Sequence, residues 1–296
     1  MDCIQSIVDD STLHRKEIIV VDNGSSDDSV EAVRRAFPEV KLIENGMNLG
    51  FAKANNIGIE ACSGHYVCLV NSDAKVQAGC IQALCGYLDS NPAVGIIGPR
   101  ILNPDMTLQD SCRKFPSLLN NFFAVFGLNK IFPKSKILSA EQMLYFPHDR
   151  ICRADYISGC FLMVRRSAIQ EVGLLDERFF IYNEEVDWCK RFWDLGWEVV
   201  FFPGASAIHH HGASSSRDPL RFDVEMWRTR LLYWAKHYHG ITWFAFLIIF
   251  VLHHSMRVLG GSLGYFISSM RSSSAFRVRR GLACFRLLMN RSNLTN

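Results

Sequence analysis

The sequence predicts an α/β fold: a mostly parallel sheet of the Rossmann-like, doubly wound kind with flanking helices, followed by a C-terminal helical tail. Three observations predict it. Short, β-branched apolar runs alternate with helical stripes through the first hundred residues. Those runs end in polar turns, where such sheets place nucleotide sites. After Pro219 the alternation stops, and an amphipathic helix and a long apolar stretch follow.

Asp2–Asp9 reads as a helix. The run 17–22 (EIIVVD) is apolar inside and reads as a buried parallel strand ending in the turn 23–26 (NGSS). Asp27, Asp28 and Ser29 are N-cap types ahead of the stripe Val30, Val33, Phe37, and Pro38 closes that helix. Val40–Glu44 is the next strand, Ala52–Ala61 a helix stopped by Gly64, and Tyr66–Val70 a strand ending at 71–73 (NSD). A helix over Gly79–Ser90, closed by Asn91 and Pro92, leads to a strand over Val94–Gly98. Residues 99–154 hold five prolines and an aromatic cluster over Phe115–Phe126, which suits a flexible insertion or lid. Tyr156–Arg165 is a buried strand, and Asp176–Asn183 a loop of acids and aromatics. Glu184–Leu195 is a helix with Val186, Cys189, Phe192 and Trp193 on one side, capped by Gly196. Two strands, Trp197–Phe202 and Ala205–His209, flank Pro203 and Gly204. Leu220–His239 is an amphipathic helix, and Trp243–Leu252 is uninterrupted apolar sequence. The expected domains are 1–219 and 220–296.

The chain has 296 residues, 49% hydrophobic and 21% charged, enough for one large domain or two small ones and unlike a disordered or fibrous chain. Its net charge of +3 does not indicate a nucleic-acid binder. That small charge hides an asymmetry: Arg257 to Asn296 carries seven Arg and no acid, which leaves residues 1–256 net acidic. Ten cysteines form no CxxC and sit mostly in apolar runs, which reads as buried reduced thiols of a cytosolic protein. The N-terminus lacks the basic and apolar regions of a signal peptide. The run Trp243–Leu252 is shorter than the roughly 20 residues a bilayer requires. Extension to Ile267 encloses His253, His254 and Arg257, so the tail suits an interfacial or re-entrant anchor on an anionic leaflet, or a helical subdomain packed on the body. The Asn290 and Asn293 sequons read as chance matches.

Four places could carry chemistry. Asp22 ends a strand beside a Gly-containing turn, where a carboxylate can accept from a base or ribose, or simply cap the turn. Asn71 and Asp73 end another strand, and a carboxylate there can hold a divalent cation that bridges a diphosphate. Between Asp176 and Asp187 acids interleave with aromatics; Glu184 and Glu185 fall at a helix N-terminus, and apolar neighbours would make Glu185 a general base. In the His209–His211 run, alternation puts His209 and His211 on one side and His210 on the other; the run suits a metal ligand or a solvated loop.

Five strings in order, IIVVDNGSSDDSVEAV, NLGFAKANNIGI, GHYVCLVNSDA, DERFFIYNEEVDWCKR and PGASAIHHHGASSS, resemble the family 2 glycosyltransferases of GT-A fold, most of all their rhamnosyltransferase-like branch. The resemblance spans about residues 1–240 and implies roles by position. Asp22 would bind the base, and Asn48, Gly50 and Asn55 would lie beside the nucleotide. Asn71 would face the ribose side and Asp73 would hold the metal, Mn²⁺ or Mg²⁺. Glu185 would be the catalytic base with Glu184 its partner, and His209 would reach the metal or diphosphate. The donor would be a nucleotide-diphospho-sugar and the acceptor a saccharide or polyprenyl-linked sugar, in cell-surface polysaccharide synthesis. The location would be cytoplasmic, peripheral on the inner face of the plasma membrane. Two departures stand out. This chain has Glu-Glu where the branch usually has Glu-Asp, and the family's opening strand, expected before the first helix, is missing. The second implies an N-terminally truncated domain. The alternatives are an inactive fragment with a binding role and a nucleotidyltransferase, which shares the α/β layout.

Overall fold

The computed structural model describes residues 1–12, 15–210, 218–265 and 271–289. Its elements, in order, are α1 (Asp2–Val8), β1 (Ile19–Asp22), α2 (Ser29–Ala36), β2 (Lys41–Glu44), α3 (Phe51–Ala61), β3 (Tyr66–Val70), β4 (Ala74–Val76) and α4 (Cys80–Ser90). There follow β5 (Val94–Leu102), β6 (Leu108–Gln109), β7 (Cys112–Arg113), α5 (Leu118–Val125), α6 (Leu128–Ile131), β8 (Cys152–Arg153), β9 (Tyr156–Ile157) and β10 (Phe161–Arg165). The last are α7 (Arg166–Val172), α8 (Glu184–Asp194), β11 (Glu198–His209), α9 (Pro219–His237), α10 (Gly240–Gly264) and α11 (Arg271–Met289).

The chain divides into two units. The first comprises Met1–Phe115, Phe146–Phe180 and the described residues from Glu184 to His210. The second comprises Pro116–Tyr145, Ile181–Asn183 and the described residues from Asp218 on. The second unit thus draws on residues before 219 as well as on those after it. Of the residues 99–154 expected as a lid, only Pro116–Tyr145 fold with the C-terminal helices, where Arg230 of α9 bonds Asn121 of α5 and pairs with Glu141 at 2.9 Å.

The first unit is the expected α/β body. Its main sheet runs β3-β10-β5-β11-β4. β5 and β11 are parallel, whereas β10 runs against both β3 and β5. β1 and β2 pair parallel in a separate two-stranded sheet. α4 lays Leu84 and Leu88 over Ile97 and Ile101 of β5 and Phe161 and Met163 of β10, and each fully buried leucine contributes about 1.5–3 kcal/mol. A second small core joins Ile4 of α1 with Val33 and Phe37 of the α2 stretch.

Three strand expectations change in detail. β5 runs past Gly98 to Leu102, and Pro99, which lacks an N–H, falls opposite Phe202 where the β5–β11 register shifts. The two strands expected around Pro203 are one, β11, interrupted at that shift. The strand expected over Tyr156–Arg165 is split into β9 and β10 by Ser158, Gly159 and Cys160. α8 approaches β5 closely because a Cβ at Gly95 would lie 2.6 Å from the Phe192 ring. Among the described residues the cysteines form no disulfide; burial pushes Cys80 and Cys189 up to about 12, so they remain thiols, as buried reduced cysteines should.

The second unit is helical. Asp218 caps α9, accepting from Arg221 N–H, and Pro219 sits in its first turn. α10 is 25 residues long, so the apolar run Trp243–Leu252 is part of a helix with the length and composition to cross a membrane. The polar residues that interrupt the run turn into the bundle. His253 and His254 are buried against the Trp227 ring, and His253 Nε2 accepts from Arg257 Nε at 2.7 Å.

Candidate functional site

The described site residues lie in the first unit, at the C-terminal ends of β1, β3 and β11, in the loop between β2 and α3, within α3 and at the N-terminus of α8. Two groups are resolved there.

The first is a ring of asparagines. Asn23, just past β1, accepts from Asn45 Nδ2 and Leu49 N–H and donates to Asn48 Oδ1 and the Gly50 carbonyl. Asn48 Oδ1 also accepts from the Gly50 N–H at 3.0 Å. These bonds fix the loop after β2 against the turn after β1. Gly50 has φ +86°, and a Cβ there would lie 2.6 Å from the Phe180 carbonyl, which accepts from Phe51 N–H. Asp22 caps its own turn, accepting from the N–H groups of Gly24 and Ser25 at 3.1 Å. A carboxylate has further lone pairs, so this leaves capacity for a base or ribose. Asn55 Nδ2 donates to the Phe51 carbonyl one turn back in α3.

The second group centres on Asp73. The turn after β3 is clamped on both sides: Asn71 N–H donates to the Cys160 carbonyl, and the Asn71 carbonyl accepts from the Cys3 thiol. β4 then pairs with β11 so that His209 lies opposite Ala74, and His210 N–H donates to the Asp73 carbonyl. This ladder brings Asp73 Oδ1 within 3.2 Å of His209 Nε2. His209 is buried and His210 exposed, the alternation expected of a strand end; His211 lies outside the described residues.

Glu185 is half-buried and Glu184 buried, both in the first turn of α8. The other acids of that stretch are in ion pairs. Asp176 holds Arg178, Glu177 faces Lys53, and buried Asp187 holds Arg191, which also donates to the carbonyls of Val172 and Leu174. The Cys160 loop joins the two carboxylate sites. Burial pushes the Cys160 thiol up to about 11; Ser158 works against this, and Asp73 and Glu185 both act on it to raise it. A Cβ at the adjacent Gly159 would touch the Glu185 stem at 3.6 Å and the Phe51 ring at 3.8 Å.

The geometry therefore collects Asp73, His209, Asn71 and Glu185 around the Gly159–Cys160 turn. Among the described residues no three His, Cys, Asp or Glu side chains converge as a ready metal cluster. A carboxylate and an imidazole do face each other, a donor pair that suits a divalent cation completing its shell with phosphate oxygens and water. Sequence reading missed Asn23, Gly159 and Gln109, whose amide meets His209 Nδ1 at 2.7 Å. The hairpin residues Asn103, Pro104 and Asp105 were the available signal that the chain turns back there.

The chain is similar to known proteins in sequence and in fold. The chain matches the profile of Glycosyl transferase family 2 over residues 2–173. It is 32% identical over 236 residues to the N-acetylglucosaminyl-diphospho-decaprenol L-rhamnosyltransferase of Mycobacterium tuberculosis, covering 75% of this chain and 76% of that protein. It is 27% identical over 208 residues to rhamnosyltransferase WbbL of Escherichia coli, covering 66% and 74%. Its fold is similar to that of mannosyltransferase PcManGT from Pyrobaculum calidifontis in complex with GDP-Man and Mn²⁺, with a TM-score of 0.55 at 14% identity over 96% of this chain and 81% of that one. Family membership favours glycosyl transfer over the nucleotidyltransferase alternative. The family match over residues 2–173, the 32% identical rhamnosyltransferase and the shared fold lead to one assignment: the chain belongs to glycosyl transferase family 2, in its rhamnosyltransferase-like branch, and is a glycosyltransferase of GT-A fold.

Proposed function

We propose that this glycosyltransferase is inverting and metal-assisted, and that it moves rhamnose from a nucleotide-diphosphate donor such as dTDP-rhamnose to a lipid-linked saccharide in cell-surface polysaccharide synthesis. The observation that carries the reading is the Asp73 Oδ1 to His209 Nε2 approach of 3.2 Å at the strand ends. The name of the Mycobacterium tuberculosis relative, with its L-rhamnose and its diphospho-decaprenol-linked sugar, supports the donor and acceptor classes.

Asp22 accepts from the base, and the Asn48–Gly50 loop borders the nucleotide. Asp73 with His209 would hold Mn²⁺ or Mg²⁺, which would supply positive charge against the departing diphosphate. Asn71 faces the ribose side. Glu185, with Glu184 beside it, takes the proton from an acceptor hydroxyl. That oxygen attacks the anomeric carbon from the face opposite the leaving group, the C–O bond to the diphosphate breaks, and one displacement inverts the centre. The enzyme works on the cytoplasmic side as a peripheral protein of the inner membrane face, where the apolar exposed residues of its helical unit support attachment.

The test is a donor screen on membranes with polyprenyl-diphospho-N-acetylglucosamine, reading nucleoside-diphosphate release and the product's anomeric configuration. Release with dTDP-rhamnose and an inverted product support the proposal. Preference for a different donor overturns the rhamnose assignment, and a retained configuration overturns the single displacement.

A further inference from the structure

We infer that Gln109 is a positioning residue that fixes the proton of His209 on Nδ1 and so presents a bare Nε2 toward Asp73. The inference rests on the reading of Asp73 and His209 as the metal pair.

A chain of hydrogen bonds sets every polarity. It starts at a group that can only accept, the Leu108 carbonyl, which takes a bond from Asn103 Nδ2. Asn103 Nδ2 also donates to Thr107 Oγ1, so the Asn103 oxygen must be the atom facing Gln109. Gln109 Nε2 donates to that Oδ1 at 2.8 Å and to the His209 carbonyl at 3.3 Å. With its nitrogen held by two acceptors, the Gln109 amide can turn only its oxygen to the imidazole. That Oε1 lies 2.7 Å from His209 Nδ1. An amide oxygen only accepts, so Nδ1 carries the hydrogen.

The other ring nitrogen then follows. In the neutral imidazole, a proton on Nδ1 leaves a lone pair on Nε2. That lone pair points at a carboxylate oxygen 3.2 Å away, and two acceptors so placed repel unless a cation lies with them. The tight hairpin between β5 and β6 makes this possible. Asn103 N–H donates to the Thr107 carbonyl, Asp105 holds Thr107, and Met106 takes φ +65°. Gln109 thus reaches His209 on rigid β-structure from 100 residues away in sequence.

The test has two readouts that do not involve turnover. The first is ¹⁵N NMR of the metal-free protein labelled at histidine, at mildly alkaline pH, with the His209 signals identified by their loss in His209→Ala. Nδ1 should be protonated and Nε2 bare. A proton found on Nε2 overturns the inference. The second is titration with Mn²⁺ alone, followed by electron paramagnetic resonance. Gln109→Leu removes the acceptor at similar size and should weaken Mn²⁺ binding by about 10–100-fold, the usual scale for a group that orients a metal ligand. Gln109→Glu keeps an acceptor for Nδ1–H but sets its second oxygen against Asn103 Oδ1 and the His209 carbonyl, so it should bind Mn²⁺ more tightly than Gln109→Leu yet less tightly than wild type, a partial rescue that a merely structural role would not give. Wild-type affinity in Gln109→Leu, while His209→Ala is impaired, overturns the role of Gln109 alone. Wild-type affinity in His209→Ala overturns the metal pair beneath it. If Gln109→Leu fails to fold, the wild-type nitrogen signals still decide.

Discussion

In the proposed mechanism Asp73 and Glu185 serve different steps, and their substitutions should part accordingly. Asp73→Ala removes the proposed metal ligand, so sugar transfer and metal-dependent nucleotide binding should both fall. Glu185→Gln keeps the shape of the side chain but cannot take a proton; its turnover should drop by about 10²–10⁴-fold, with donor binding unchanged in calorimetry. Normal turnover in either variant would refute its assigned role. Gly50 makes a third, structural prediction. Alanine there must hold φ +86° and place its Cβ 2.6 Å from the Phe180 carbonyl. Gly50→Ala should lose about 2 kcal/mol or more in urea unfolding, and equal stability would show that the loop yields. Asp73 and Glu185 could be singled out in sequence because their setting is local, a carboxylate after a strand or at a helix N-terminus, whereas Gly50 was singled out only through the family resemblance. Gln109 was not, since its part depends on β6 and β11 both pairing with β5. Asn55 read as a nucleotide neighbour by position, yet its amide is used inside α3.

Helices and strands of the body were legible because each carries its own period, and their ends fell within a few residues of Pro, Gly or Asn. Direction was not: β10 is buried on both faces, and a continuous apolar run reads the same whether it runs with or against its neighbours. Links between elements were also hidden, as at Asp10. Its carboxylate follows α1 and accepts from Thr12 N–H and Oγ1 and from the Gly79 N–H ahead of α4. Burial works to raise its pKa, but these bonds and the Lys16 charge outweigh it and hold the group below the usual carboxylate value. A depressed folded pKa gives stability that is fully present above the unfolded value of about 3.9 and is lost as pH falls through the folded one. Asp10→Ala should therefore cost about 1–3 kcal/mol near neutrality. The gap to wild type should close in acid, below about pH 3.9. Urea unfolding over a pH series reads both, and a gap that persists unchanged in strong acid would mean that the charge of Asp10 is not what joins the two helices.

At the scale of the whole molecule, the charge asymmetry meets the exposed apolar surface in the helical unit. Along α10, Ile241 is 85% exposed, Phe244 62%, Ile248 54%, Leu259 60% and Leu263 72%, and their spacings of three, four and eleven residues put them on one helix face. On α11 the arginines 271, 277, 279 and 286 are exposed, and no acid occurs from 257 to the end of the chain. Water solvates such an apolar stripe poorly, while a bilayer surface with anionic headgroups satisfies both features. Each arginine near that surface adds about 1 kcal/mol, an attraction that salt screens, whereas the apolar part is insensitive to salt. The protein should therefore sediment with vesicles containing phosphatidylglycerol more than with pure phosphatidylcholine, and added salt should narrow the difference. Replacing Phe244 and Ile248 together by Ser should release it from both kinds of vesicle by about tenfold or more, since each such side chain contributes about 1.5–3 kcal/mol when fully buried. Replacing Arg277 and Arg279 by Gln should erase only the preference for anionic lipid. Because all four side chains are exposed, thermal unfolding should not change. A protein that ignores both kinds of vesicle, or a Phe244 and Ile248 variant that binds like wild type, would leave this face to a protein partner rather than to lipid.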